Sequence, residues 1–172
     1  MSSFLCTQDP DIESFLKERS VHFEKLSKSR TYLEIDEDAL ARDGTVAVLG
    51  YFSLAMQTLK FPEEYSGRRR KELDGFASKR GGKPVQDVPC FLIGQLARCS
   101  SIEKGALSGS ELLDDALGYI AMAQEAVGGR IVLVECRDDP KLIRFYEGNR
   151  FEEFMHIGDD DRPMIQMIRR IC

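Results

Sequence analysis

The chain has little that marks an exported, membrane-spanning or metal-holding protein. Its five cysteines, Cys6, Cys90, Cys99, Cys136 and Cys172, are odd in number, scattered, and form no Cys-x-x-Cys pair. Neither a disulfide framework nor a zinc knuckle is expected from them; most read as small buried hydrophobes or inert surface thiols. The two histidines, His22 and His156, complete no close ligand cluster. No window holds the eighteen or more apolar residues of a bilayer-crossing helix, and the first ten residues lack the basic and apolar regions of a secretory signal. A cytoplasmic, metal-free protein with no membrane partner is expected. An excess of positive charge is missing too. Twenty-four Lys and Arg against 29 Asp and Glu leave a formal charge of −5, which speaks against a uniformly basic nucleic-acid surface but permits a local patch.

What is present fits one folded unit. A length of 172 residues is enough to bury a core without staples, and apolar residues recur in patterned blocks, which excludes wholesale disorder. Asp9-Pro10 reads as an N-cap with proline in the first helical turn, followed by a stripe of Ile12, Phe15 and Leu16. Residues 31–36 alternate as a strand. A turn near Arg42-Asp43-Gly44 leads into a β-rich run over 45–59, with Gly50 a bend or bulge, and the two strands read as an antiparallel hairpin. Residues 60–89 are a basic, glycine-containing excursion with one short helix around Lys71 to Ala77.

From Cys90 the pattern sharpens. A strand over 90–97 enters a polar turn through Gly105 and Gly109. Leu112, Leu113, Ala116, Leu117, Ile120, Ala123 and Val127 then recur at helical spacing, and Gly128-Gly129 ends that helix. Ile131 to Val134 is a strand covered on both faces, Pro140 opens a further helix ending near Asn149, and two strands over 151–156 and 163–171 finish the chain. The order is α-β-β-(α)-β-α-β-α-β-β. It predicts an α/β (α+β) domain spanning 1–172, with a mixed, mostly antiparallel sheet and helices packed on both faces.

A helix start leaves backbone N–H groups unpaired, and glycines let a polyanion approach them, so Gly105, Ser108, Gly109 and Ser110 are candidates for pyrophosphate contact. The turn lacks the Gly-Lys-Ser/Thr ending of a P-loop and has no Gly-x-Gly-x-x-Gly. The Phe91-Leu-Ile-Gly-Gln-Leu-Ala97 strand, the turn, and Asp139-Pro-Lys-Leu-Ile-Arg-Phe-Tyr146 leading to Asn149-Arg150-Phe151 resemble, in that order, the GNAT family of acyl-CoA-dependent N-acetyltransferases. The resemblance covers most of residues 31–171. It implies that backbone groups around Leu96, Ala97, Arg98 and Cys99 bind the pantetheine arm of acetyl-CoA. Lys104, Gly105, Ala106, Leu107, Ser108, Gly109 and Ser110 would hold its pyrophosphate, and Asp139 and Tyr146 complete the cofactor set. Two positions depart from the family: Leu107 stands at the usual middle glycine of the turn, and Arg150 stands where glycine commonly precedes Phe151.

The same resemblance implies direct transfer from the thioester to a primary amine in a ternary complex. Tyr146 matches the family's helix tyrosine and is the candidate proton donor to the leaving thiolate. The general base is open among Glu34, Glu135 and a water relay. A narrower similarity, carried by Thr31-Tyr-Leu-Glu-Ile35, the basic excursion and Phe91 to Leu96, is to toxin-type acetyltransferases of toxin–antitoxin modules. It implies aminoacyl-tRNA as acceptor and a small antitoxin as partner, with Arg68, Arg69, Arg70, Lys79, Arg80 and Lys83 as the tRNA patch. The acceptor is open among small-molecule and polypeptide amines, with toxin-type acetylation of aminoacyl-tRNA and a catalytically weak acyl-CoA-binding regulatory or interaction module as the alternatives, and a homodimer is open.

Overall fold

The computed structural model describes residues 4–103 and 105–171. The chain runs through α1 (Pro10–Ser14), a π-helical turn (Phe15–Arg19), α2 (Ser20–Lys25), β1 (Arg30–Ile35), α3 (Glu37–Asp43), β2 (Val48–Lys60) and α4 (Gly67–Asp74). The short β3 (Lys79–Arg80) and β4 (Lys83–Pro84) precede β5 (Asp87–Arg98), α5 (Gly109–Val127), β6 (Ile131–Arg137), α6 (Pro140–Gly148), β7 (Glu152–Gly158) and β8 (Pro163–Arg170). Six strands form one sheet in the order β1-β2-β5-β6-β8-β7, with β8 inserted between β6 and β7; β3 and β4 make a separate antiparallel pair. The β1–β2, β6–β8 and β7–β8 pairs are all antiparallel, so the expected mixed, mostly antiparallel α/β architecture is the observed one. Among the described residues no helix is long and apolar enough to cross a membrane.

The chain divides into two compact units, one of residues up to Ala55 with Ile93–Met122, the other of Met56–Leu92 with Ala123 onward. In the first, Asp9 caps α1 as expected, its carboxylate accepting from the Asp11 N–H. Phe4, Phe15, Leu16, Val48, Tyr51, Ala97 and Cys99 form the core, and the Tyr51 hydroxyl donates to the Ile12 carbonyl at 2.6 Å. The β1–β2 hairpin is present, but its connection is a helix rather than a tight turn. Asp36 accepts from Ala39 N–H at 3.0 Å to start α3, and Gly44, at φ 73°, ends it by donating to the Leu40 carbonyl. Glu34 pairs with Gly50 while Ile35 pairs with Val48, so Leu49 is the extra residue of a bulge beside the glycine that marked it in the sequence. Tyr32 stacks on Phe52 and Tyr119, with ring centroids 5.0 and 4.1 Å apart, tying β1 and β2 to α5.

In the second unit Leu59, Phe61, Leu73, Val85, Val88, Cys90, Ile131, Leu133, Phe154 and Ile168 form the core. The short helix of the basic excursion lies earlier than expected, over Gly67–Asp74, because Ser66 caps it by accepting from Arg69 N–H and Gly75 ends it at φ 83°. The α6 helix opens on Asp139 and Pro140 and closes where the Phe151 and Arg150 N–H groups return to the carbonyls of Tyr146 and Glu147. Arg150 sits at φ 65° in that turn, the left-handed position where a helix end most readily takes glycine. Cys6, Cys90, Cys99 and Cys136 are free and buried.

Candidate active site

The turn before α5 is built around Leu107. Its side chain is buried at 9% exposure, and it lies so close over Gly50 that a Cβ there would come within 2.7 Å of Leu107 Cδ2 and 3.2 Å of the Ala97 carbonyl oxygen. Arg98 Nη1 donates to the Leu107 carbonyl at 2.6 Å. Leu107, at the position where the resemblance implies glycine, is accommodated by an absence elsewhere: Gly50 vacates the space that the leucine fills. Gly105 takes φ 98°, a conformation suited to glycine.

Beyond Leu107, Ser108 and Glu111 form a capping box. Ser108 N–H donates to Glu111 Oε2 at 2.6 Å and Glu111 N–H donates to Ser108 Oγ at 3.1 Å. These bonds hold the Glu111 carboxyl below its ordinary pKa. The N–H groups of Gly109 and Ser110, the first two of the 19-residue α5, have no partner among the described residues and carry the positive end of the helix dipole. Ser108-x-x-Glu111 ahead of an apolar run is the capping signature that marks this helix start in the sequence. Lys104 lies outside the described residues.

Of the residues expected along the pantetheine arm, Leu96 is half-buried and Ala97 buried, with Ala97 O facing Gly50. Cys99 is a correction. Its N–H donates to Leu49 O at 2.7 Å, and its buried Sγ accepts from Leu5 N–H and contacts Ser101 Oγ, so neither its amide nor its thiol is open to a ligand. Burial raises its pKa, but the hydrogen bonds from Ser101 and Leu5 outweigh it and leave the thiol below its usual value. Asp139 is a second correction: its carboxylate caps α6, accepting from Lys141 N–H at 2.7 Å, and its charge would oppose a phosphate.

Tyr146 projects from α6 with its ring buried between Phe145 and Phe151, at centroid distances of 5.0 and 5.4 Å. Burial, then the nearby Cys136, pushes the phenol above its ordinary pKa, so it holds its proton at neutral pH. Its hydroxyl has no hydrogen-bond partner among the described residues and is not among the sealed, unpaired polar atoms, which leaves it free to donate.

The structure separates the base candidates. Glu135 on β6 is the cross-strand partner of Gln166 on β8, and its Oε1 accepts from Gln166 Nε2 at 2.8 Å and Gln57 Nε2 at 3.2 Å. Glu135 and Cys136 alternate along β6 and so point to opposite faces of the strand. Gln57 and Gln166 could not have been found by pattern, since only the pairing of distant strands brings them to Glu135. Glu34 is half-buried on β1; burial first, then Asp115 of α5, raises its pKa.

The basic excursion also sorts into separate roles. Arg70 is buried and donates to the carbonyls of Tyr65, Val85, Pro62 and Glu63 at 2.6–2.9 Å, so it pins the excursion and leaves the candidate tRNA patch. Arg69 is bound to Glu72 and Glu152, and Arg80 to Asp74. Arg68, Lys79 and Lys83 are exposed with no carboxylate partner among the described residues, as is Lys71, and Phe76 beside them is 86% exposed.

The likeness to solved structures follows this geometry. The chain superposes on AtaT complexed with acetyl-methionyl-tRNAfMet at a TM-score of 0.68, with 21% identity over 95% of this chain and 85% of that one. The fold is GNAT-like. A KacT variant with one tyrosine replaced by phenylalanine gives a TM-score of 0.68 and 21% identity over 96% and 85% of the two chains. An AtaT toxin variant of the same kind, bound to the C-terminus of the antitoxin AtaR and acetyl-CoA, gives 0.63 and 20% over 97% and 82%. No family model and no curated protein sequence matches the chain.

Proposed function

We propose that this protein is an acetyl-CoA-dependent N-acetyltransferase, its whole length forming one transferase domain, and that its acceptor is the amino group of an aminoacyl-tRNA. The observation that carries the reading is the start of α5. Two unpaired N–H groups, Gly109 and Ser110, follow a turn held by Leu107 and Arg98 in a GNAT-like fold. Such a terminus suits a pyrophosphate. Acetyl-CoA, when bound there, supplies an acyl thioester. The α-amino group of an aminoacyl ester ionises near neutrality, around 8 or below, so much of it is already a nucleophile at physiological pH. What the chain must add is orientation and a proton for the departing sulfur. Tyr146, protonated and with a free hydroxyl, supplies the proton. Glu135, steadied by two amide donors, is one candidate to orient the amine. Glu34, with its raised pKa, is the alternative acceptor of the amine's proton.

The nucleic-acid part of the reading is supported by Arg68, Lys71, Lys79 and Lys83, unpaired among the described residues and in the same segment as the exposed Phe76. Cations that follow a backbone and an aromatic face on which a base can stack are the two needs of a single-stranded acceptor end. The acetyl-methionyl-tRNA in one structural neighbour and the antitoxin segment in another support the same acceptor and a small inhibitory partner. They also support a cytoplasmic setting, where charged tRNA is made. The alternative of a non-catalytic module is motivated by Leu107, Arg150 and the missing clear base; Leu107 packs over Gly50 and Arg150 takes the left-handed position of a helix end, which weakens the first two grounds.

Thiol release from acetyl-CoA, measured with charged tRNA, pooled small amines and peptides as separate acceptors, tests the reading. Release with charged tRNA, reduced at least about 100-fold in Tyr146→Phe, is expected. Release with small amines alone would move the acceptor to that class. Folded protein that binds acetyl-CoA yet turns over no acceptor would end the enzymatic reading.

A further inference from the structure

Arg150 is held in a strained turn for which its side chain, and not its backbone, gives a reason. At φ 65° the position suits glycine, yet it carries a long cation with no hydrogen-bond or ion-pair partner among the described residues. With Glu152, Ile168 and Arg170 it lines a cavity of about 410 Å³. The other charges around that cavity are already matched. Glu152 accepts from Arg69 Nη2 at 2.8 Å, Arg69 Nη1 reaches Glu72 at 3.1 Å, and Glu72 accepts from Arg170 Nη1 at 2.6 Å. Two guanidinium groups thus face two carboxylates in a continuous ladder, and Arg150 adds a cation without a counterpart.

A cavity wall with one surplus guanidinium and a second anchored beside it fits an anion presenting paired oxygens. The ladder that orders the wall is fixed to α4, whose next residues, Arg68 and Lys71, are exposed and unpaired. The surplus charge at the cavity, with further exposed cations on the same helix, suits a polyanion better than a single small acid. We propose that the Arg150 cavity is a phosphate subsite for the RNA backbone of the acceptor, built from residues other than the α5 turn. This rests on the aminoacyl-tRNA reading above.

Arg150→Gly is an informative variant because it removes the guanidinium while relieving the backbone, so its melting temperature is expected to stay or rise. Binding of deacylated tRNA, followed by filter retention across a salt series without acetyl-CoA, should weaken about five- to tenfold at low salt. The slope of log K against log salt should become shallower by about one. Arg150→Lys should keep the slope. In turnover with charged tRNA the expected change is a higher KM for tRNA, with kcat and the KM for acetyl-CoA held. If Arg150→Gly loses the slope but no form of the protein transfers acetyl groups, the subsite stands and the transferase reading falls. If the protein acetylates charged tRNA and Arg150→Gly leaves both slope and KM unmoved, the subsite is overturned. No tRNA binding by the unaltered protein would overturn both.

Discussion

Gly50→Ala should damage the protein chiefly through its contact with Leu107, and that contribution should be separable. The added Cβ would stand 2.7 Å from Leu107 Cδ2, 3.3 Å from Leu112 Cδ2 and 3.2 Å from the Ala97 carbonyl oxygen. Methyl groups rest at about 3.5–4.0 Å, so Leu107 must withdraw by roughly 1 Å, and the backbone oxygen offers no relief on the other side. Overpacking of this kind costs about 1–3 kcal/mol. Gly50 has no positive φ, so alanine recovers about 0.5–1 kcal/mol of strand propensity, leaving a net loss of about 1–2 kcal/mol. In a chain of this size that corresponds to a fall of about 3–8 °C in melting temperature. Because Leu107 anchors the turn, the affinity for acetyl-CoA should fall with it. Leu107→Ala alone empties a buried site and should cost about 2–3 kcal/mol. The double variant should cost less than the sum, since the new methyl enters the space the leucine left. A double-mutant cycle by urea unfolding is expected to show at least about 1 kcal/mol of coupling. Additivity within about 0.5 kcal/mol would refute the proposed seating of Leu107 over Gly50.

Three further outcomes are expected. Glu111→Gln keeps a capping partner for Ser108 but removes a carboxylate from the α5 terminus, so acetyl-CoA should bind about two- to fivefold tighter at low salt by calorimetry, while Ser108→Ala should cost about 1 kcal/mol of stability. Arg70→Met would strand four carbonyls that now accept from one guanidinium and should destabilise by about 3 kcal/mol or more; Arg70→Lys should recover part of that loss in a thermal melt. The folded-state pKa of Glu34 lies above its unfolded value, so folding takes up a proton there. Stability should therefore decline as pH rises from about 4.3 through the raised folded value, and Glu34→Gln should flatten that part of a urea-midpoint profile.

The strands of the second half were legible because Ile131–Val134 and the alternation around Phe154 and Ile168 leave little choice of element. The bulge was legible at Gly50. The α3 helix was not taken from the sequence, although Asp36 and Gly44 bracket it with both caps; the apolar stripe of so short a helix is thin, and Gly44 read as a turn in its own right. Arg70 shows the limit of reading charge as surface. In Gly67 to Lys71 it is indistinguishable from Arg68 and Arg69, and only the return of the chain past Pro62, Glu63 and Val85 surrounds it with carbonyls. The capped start of α5 and the position of Tyr146 on α6 are local features, and local features are what pattern reading reaches. Out of reach of pattern were the partners of Glu135, which come from three strands, and the engagement of the Cys99 amide by the bulge residue Leu49.

The central claim is acetyl transfer to the amine of charged tRNA, and labelled acetyl-CoA tests it most directly. Incubated with the protein and aminoacyl-tRNA, the label is predicted to enter the RNA fraction, to be released by mild base as N-acetyl-amino acid, and to be absent when the tRNA is deacylated first. Label that enters deacylated and charged tRNA alike, or no label in RNA while acetyl-CoA is bound, would contradict it.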